Sequence, residues 1–406
     1  MARKMKDSGI EWIGEIPEGW EVVPVKRLCT MQAGKNLTSE QIAPEGTYPV
    51  YGGNGIRGFF SDYNCDGQFL TVGRQGALCG NVHKINGKVW ATEHAVITTP
   101  SSYTILDFLY YLLIGMDLNQ YVSSTAAQPG LAVGTLLNLK TCYPCSTLEQ
   151  TQISNYLNAK CSEIDVMLTK TRSSIEEYKK LKQAVITRAV TKGVRGEREM
   201  KDSGVEWVGE IPKEWDILNL VAHTSMLTPM RDRPENLDGP IPWIRIEDFD
   251  GKYISSSKAS LGVSKETVRS MNLKIYPVGT ILCTSSCIMG KCAIVSRELV
   301  SNQRFIGIIP DQNTCENFLY YLMLSNSERM NYLATGALQA NLSRSSFEHL
   351  KVQFPSYQEQ KEISDYLDTK CAEIDKLIAK KEQLVKELES YKKSLIYEVV
   401  TGKREV

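Results

Sequence analysis

Gly53-Asn54-Gly55-Ile56-Arg57, Gly73-Arg74-Gln75-Gly76 and Gly80-Asn81 set polar side chains on backbone that glycine allows to bend. Arg can bond guanine through two donors, Asn and Gln can do the same with adenine, and Ser and Thr add single hydrogen bonds. These residue types are what base recognition in a DNA groove requires. His94 lies in the same region and Gln128 follows near its end. The second half of the chain offers a comparable set in different letters: Arg231, Arg233, Arg245, Ser285, Ser286, Lys291, Asn302, Gln303 and Arg304, then Gln339, Asn341 and Arg344. Taken singly, each loop reads equally well as solvated surface. Its meaning depends on the elements that carry it.

Catalytic constellations are missing from the sequence. It contains no GxxxxGK[ST] phosphate loop, no HExxH zinc pair, no GxSxG nucleophile elbow and no Asn-Pro-Pro-aromatic run. Gly52-Gly53-Asn54-Gly55-Ile56-Arg57-Gly58 has the glycines of a nucleotide loop, but Phe59-Phe60 and more turn residues follow where a helix is needed. Pro310-Asp311 with the later Glu359-Gln360-Lys361 resembles a nuclease metal site by chance, since the first half has Pro100-Ser101 instead. Cys142-Tyr143-Pro144-Cys145 has zinc-like spacing, yet no second CxxC exists and the second half places Gln353 and Ser356 there. Buried free thiols are the reading for this pair and for Cys283, Cys287 and Cys292. No catalytic residue and no metal site is assigned.

The positioning elements are duplicated. MKDSGIEWIGEIPEGW at 5–20 returns as MKDSGVEWVGEIPKEW at 200–215, and EQTQISNYLNAKCSEIDVML from Glu149 returns as EQKEISDYLDTKCAEIDKLI from Glu359. Such a long period means two copies of one domain-plus-helix unit rather than a solenoid. After each EQ, apolar residues recur at threes and fours: Ile153, Leu157, Ile164, Leu168, Ile175 and Leu181 in the first copy, and Ile363, Leu367, Ile374, Ile378, Val385, Leu388 and Leu395 in the second. This spacing predicts one apolar stripe on each of two helices of roughly 44 residues, about 66 Å long. Helices so long and narrowly striped need a partner, and the other copy is the nearest one. Connectivity makes them antiparallel, with a globular domain at each end and a pseudo-two-fold axis between.

The expected fold is therefore α+β: two similar globular domains, 1–147 and 193–356 (the latter with its linker), separated by two long antiparallel helices, 148–192 and 357–406, that form a coiled coil. Strand and turn signals fill the domains: Tyr48–Phe60 reads as a tight hairpin, Phe69–Val82 and Val89–Pro100 as short strands, with short helices at Asp107 and Asn317. Central segments 30–105 and 225–315 diverge between copies while their frame repeats. One scaffold with two different surfaces is implied.

Bulk properties limit the partners. The 406 residues carry 47 Lys+Arg against 47 Asp+Glu, so a strongly basic stand-alone DNA binder is excluded. No apolar run reaches the ~20 residues that span a bilayer, and MARKMKDSG has no secretory apolar region. A cytoplasmic, membrane-free chain with eleven reduced cysteines is expected.

The doubled MKDSGxEWxGEIPxxW openings, doubled EQ-x₂-IS-x-YL-x₂-K-C-x-EID helix starts and VVTGK-type helix ends resemble the specificity subunits of Type I restriction–modification enzymes, across essentially the whole chain. That resemblance implies two target-recognition domains, each reading half of a bipartite double-stranded DNA site. It implies a helix pair that acts as ruler and docks two methyltransferase subunits. S-adenosylmethionine, ATP and Mg would then reside on partner subunits and no cofactor on this chain; whether restriction subunits join is left open. The rival readings are a tandem-domain scaffold that binds no nucleic acid and a self-sufficient nuclease or methyltransferase.

Overall fold

A computed structural model describes residues 3–76, 79–122, 130–229, 232–286, 290–334 and 342–406. The chain divides into two compact units, 1–172 with 382–406, and 173–381. Each long helix contributes to both.

The repeated opening is a small folded motif. The Asp7 carboxylate accepts from the Gly9 amide at 3.0 Å and Ser8 Oγ from the Ile10 amide at 3.1 Å; Asp202 and Ser203 do the same for Gly204 and Val205 at 3.0 and 3.1 Å. Gly9 and Gly204 sit at φ of 66° and 68°, which glycine adopts without strain. The turn lets Met5–Asp7 pair with Glu15–Pro17, and Met200–Asp202 with Glu210–Pro212. Trp20 and Trp215 end the motif as the largest fully buried side chains.

The EQ pair explains why the helix starts are repeated. Trp20 Nε1 donates to Glu149 at 3.0 Å, and Trp215 Nε1 to Glu359 at 3.0 Å. Arg3 and Arg198 lie over the two indole rings and pair with the same carboxylates. Gln150 accepts from the Ile105 amide at 2.8 Å and donates to the Tyr103 and Pro144 carbonyls, both at 3.1 Å. Gln360 accepts from the Cys315 amide at 2.8 Å and donates to Asn313 and Pro355 at 3.1 and 3.0 Å. Each buried amide thus closes three loop ends that would otherwise be unpaired, at about 1–3 kcal/mol apiece.

In the first unit the strands are β1 (Cys29–Ala33), β2 (Tyr48–Gly52), β3 (Gly55–Phe60), β4 (Gln68–Gly73), β5 (Val82–Asn86), β6 (Trp90–Ala91) and β7 (Ala95–Pro100). An antiparallel sheet runs β1-β7-β4-β5, while β2 and β3 form the expected hairpin and β6 joins β2 in parallel. Helix α1 (Leu106–Gly115) buries Phe108, Leu109 and Leu112 in the same core as Leu70, Val72 and Val96 of the sheet and Leu157 of the long helix α2 (Thr147–Lys192).

The second unit repeats this plan on different residues. Its strands are β8 (Thr224–Leu227), β9 (Ile241–Ile244), β10 (Tyr253–Ile254), β11 (Gly262–Val263), β12 (Ile281–Thr284), β13 (Cys292–Val295), β14 (Val300–Ser301) and β15 (Phe305–Pro310). The main sheet runs β8-β15-β12-β13-β10, and β9 pairs with β14 in parallel as β2 does with β6. Helix α3 (Glu316–Ser325) packs with Ile281, Ile294 and Ile306 and with Leu367 of the long helix α4 (Tyr357–Val400). Segments without alignable sequence have kept one topology.

The long helices run antiparallel within each unit. In the first, Asp165 pairs with Lys392 at 2.6 Å and Arg172 with Glu389; in the second, Lys182 pairs with Asp375 at 2.6 Å and Arg195 with Glu362 at 2.8 Å. The apolar stripe does most of the work, since exposed ion pairs are worth ~0–1 kcal/mol each. Ile153, Leu157, Ile164, Leu168, Ile175, Ile363, Leu367, Ile374 and Leu395 are buried, and Ile378, Val385 and Leu388 are half-buried. Leu181 is a correction to the stripe: it is 49% exposed, as is Tyr391 at the equivalent place. At about 100° per residue, Leu181 lies about 120° round the helix from Ile175, whereas Ile186 lies within about 20° of it and is buried. Among the described residues no helix is long and apolar enough to cross a membrane.

Candidate nucleic-acid interface

The candidate residues of the first unit converge. The β2–β3 turn folds over the end of β4 so closely that a Cβ on Gly73 would stand 1.8 Å from the Gly53 carbonyl oxygen, so no other residue fits there. Asn54, on that turn, accepts from Asn81 Nδ2 at 2.8 Å, and both are exposed. The Arg74 amide donates to the His94 carbonyl at 3.0 Å, and the Leu131 amide to the Arg74 carbonyl at 2.8 Å. Gln75 forms a bridge with Gly130. Arg57 is exposed and lays its stem across Gly52.

Glu93 belongs to this cluster although the sequence reading passed over it. Its carboxylate lies 3.1 Å from His94 Nε2. Arg74 Nε, Glu93 Oε2 and His94 Nδ1 are all shielded from solvent and have no hydrogen-bond partner among the described residues. Glu can accept from cytosine N4 in the major groove, so the cluster offers both donors and acceptors. The signal was present in Thr92-Glu93-His94, a carboxylate beside an imidazole between two strands, but an isolated Glu in a loop is too common to single out.

In the second unit Ser285, Gln303 and Arg344 line one recess of 370 Å³ together with Thr228 and Leu342. Lys291, Gln303 and Arg344 are exposed; Ser285 and Asn302 are half-buried. Asn302 Oδ1 caps the Arg304 amide at 3.1 Å, and its own amide donates to the Ile244 carbonyl beside Arg245. Ser286 is only 7% exposed, which makes it a poor reader and corrects that expectation: its place matches the bridge made by Gln75, where backbone rather than side chain does the pairing. Arg233 is exposed, and among the described residues no hydrogen bond or ion pair ties it to the others. Gln128, Arg231, Gln339 and Asn341 lie outside the described residues. Asp311, considered above for a metal, pairs instead with His223 at 3.0 Å.

Three backbone hydrogen bonds superimpose the two surfaces. Gly73 N to Asn81 O (2.9 Å) corresponds to Thr284 N to Lys291 O (2.9 Å); Arg74 N to His94 O (3.0 Å) corresponds to Ser285 N to Arg304 O (2.8 Å); Leu131 N to Arg74 O (2.8 Å) corresponds to Leu342 N to Ser285 O (2.9 Å). Arg74, Asn81 and His94 therefore stand where Ser285, Lys291 and Arg304 stand in the other unit. The main-chain positions agree and the side chains do not.

A cleft of 1040 Å³ in the first unit is lined by His83, Tyr110, Asn158, Asp165 and Lys392 among others, and of the candidate reading residues described only Asn81 borders it. Burial pushes His83 below the ordinary imidazole value. Among the described residues no group of three or more His, Cys, Asp or Glu is placed to hold a metal ion.

The sequence pattern described as the Type I restriction modification DNA specificity domain matches residues 17–177 and again residues 216–387. The chain belongs to the Type I restriction–modification specificity subunit family. It is 44% identical over 121 residues to the specificity subunit of the Escherichia coli Type I restriction enzyme EcoprrI, a match covering 29% of this chain and 30% of that protein. It is 25% identical over 422 residues to a putative Type I restriction enzyme MjaX specificity subunit of Methanocaldococcus jannaschii, covering 96% of this chain and 95% of that one. A chain from a structure on complex assembly and conformational transition of the type I R-M system shares the fold at a TM-score of 0.73 with 12% identity, over 96% of this chain and 99% of that one. The first of these matches spans less than a third of either protein; the others extend the likeness to nearly the full length.

Proposed function

We propose that this chain is the DNA-specificity component of a Type I restriction–modification complex, with each recognition domain reading one half of an asymmetric bipartite site. The observation that carries this reading is the matched trio of backbone positions bearing Arg74, Asn81 and His94 in one domain and Ser285, Lys291 and Arg304 in the other. One main-chain platform with two sets of base-bonding side chains is what two unlike half-sites require.

The helix pair sets the distance between half-sites, expected at one to two DNA turns of about 34–36 Å. It also docks two methyltransferase subunits. Each unit exposes the same two apolar helix positions: Met167 and Tyr391 in the first, Leu377 and Leu181 in the second. A pair repeated in this way suits two copies of one partner. Methyl transfer with S-adenosylmethionine, and any ATP- and Mg-dependent cleavage, belong to partner subunits; this chain contributes recognition.

The test is co-expression with a Type I methyltransferase subunit from the same genome, followed by long-read mapping of methylated adenines in host DNA. A bipartite, asymmetric motif with a fixed unread spacer is expected. A continuous motif, or methylation independent of this chain, overturns the reading.

A further inference from the structure

Each recognition domain is tied to a long helix through one lysine. In the first unit Lys84, on β5, places Nζ 2.7 Å from Asp107 Oδ1 and donates to Asn158 Oδ1 on α2 at 3.3 Å. Asn158 Nδ2 donates to Asp107 Oδ2 at 2.7 Å, and the Tyr111 hydroxyl donates to Asn158 Oδ1 at 2.9 Å. The ammonium stands 4.5 and 5.2 Å from the ring centres of Tyr110 and Tyr111. In the second unit Lys252 pairs with Asp368 on α4, the Tyr321 hydroxyl donates to the same carboxylate at 2.6 Å, and the ammonium lies 5.7 and 5.0 Å from Tyr320 and Tyr321.

The two nodes are built from exchanged parts. Asp107 corresponds to Asn317 and Asn158 to Asp368, so carboxylate and amide have traded places at a common offset (317 − 107 = 368 − 158 = 210). The lysine has moved as well. Ile294 occupies the position of Lys84, and β10, the fifth strand added to the sheet of the second unit, lays Lys252 beside it, with its carbonyl accepting from the Ile294 amide at 2.8 Å. Two diverged domains have thus arrived at one cation, one carboxylate and one tyrosine hydroxyl by different routes, while the second unit's amide, Asn317, accepts from the Tyr253 hydroxyl at 3.3 Å. Burial would raise Asp107, but hydrogen bonds from Lys84 and Asn158 hold its carboxyl below the ordinary range.

We infer that Lys84 and Lys252 are positioning residues for base reading: each clips its recognition sheet to the long helix, so that the loops reading one half-site keep a fixed register with the spacer. β5, which carries Lys84, begins directly after Asn81, and β13, against whose Ile294 Lys252 is hydrogen-bonded, begins directly after Lys291. This role presupposes the DNA-reading function proposed above.

The experiment uses the full chain with its methyltransferase and maps methylated motifs in host DNA. Asp107→Asn, which leaves two amides facing Lys84, is expected to raise methylation at sites whose spacer is one base pair longer or shorter by about five- to tenfold relative to the correct spacer, the factor carried by one ordinary, partly exposed hydrogen bond. The first half-motif loosens and the second keeps its sequence. The double variant D107N/N158D exchanges carboxylate and amide, returns one carboxylate to face Lys84 from the long helix as Asp368 faces Lys252, and is expected to restore the single spacer. Asp368→Asn is expected to act on the second half-site alone. An unchanged spacer in D107N at equal folded yield, a double variant no better than the single, loss of both half-motifs together, or loss of folded protein in D107N would each overturn the positioning role. If the wild-type pair gives no bipartite motif, it is the function itself that fails.

Discussion

At the residue scale, the first recognition surface concentrates its hydrogen-bonding capacity in three neighbours, Arg74, Glu93 and His94, whose shielded polar atoms are unpartnered among the described residues. Replacing Arg74 by Ala is expected to relax one base of the first half-site, costing ~1–3 kcal/mol, and to leave the second half-site untouched; competition binding of the assembled complex against single-base variants measures it. Equal losses at both half-sites would contradict modular reading. A second residue acts on stability. Burial lowers His83 from its ordinary value of 6.5, so the folded state disfavours the imidazolium. The depressed value means that the His83 contribution is intact above pH 6.5 and is lost as pH falls toward the folded value. Protection factors of the β5 amides, which remove the intrinsic pH dependence of exchange, should therefore fall on acidification below that point, and His83→Gln should flatten the dependence. The loops could be nominated from glycine-flanked polar letters, but their convergence could not: Asn54 and Asn81 meet only because Gly73 lets one turn lie on another strand. Glu93 was missed because nothing in its sequence surroundings distinguishes it.

At the scale of elements, the helix stripes were legible because 3.6-residue periodicity is a property of the letters themselves. Leu181 misled because a step of three residues looks periodic while turning away from the contact. The EQ pair was visible as a repeat, though its reason was not: only the fold shows Gln150 and Gln360 each closing three backbone groups at the root of a domain. The lysine nodes were invisible for the opposite cause, since the lysines stand at unrelated positions and the carboxylate and amide are exchanged at the related ones. The helices invite a length test. Removing seven residues in register from both shortens each by about 10 Å while returning the stripe to nearly the same face. Methylome mapping should then report a shorter accepted spacer; an unchanged spacer would dismiss the helices as a ruler.

For the whole molecule, balance of charge is the governing fact. With 47 basic against 47 acidic residues, the chain has no overall basic excess to hold a phosphate backbone. Titrations of the isolated chain should give weak binding with a shallow log–log salt slope of about −3 or less in magnitude, and addition of the methyltransferase should steepen it, because each neutralised phosphate contributes about −0.9. A steep slope for the chain alone would mean that it carries its own phosphate grip. The duplication itself was legible from the first sixteen repeated residues. That the diverged centres share a topology was not, because strand pairing there is maintained by amides and buried apolar volume rather than by any preserved letter.

The three superimposable amide–carbonyl contacts have an evolutionary corollary. Main-chain groups are chemically the same whichever residue bears them, so the letters at 74, 81 and 94, or at 285, 291 and 304, are free to drift without disturbing the bonds that hold them in place. New target preferences can arise by single substitutions, with no folding intermediate state to survive on the way.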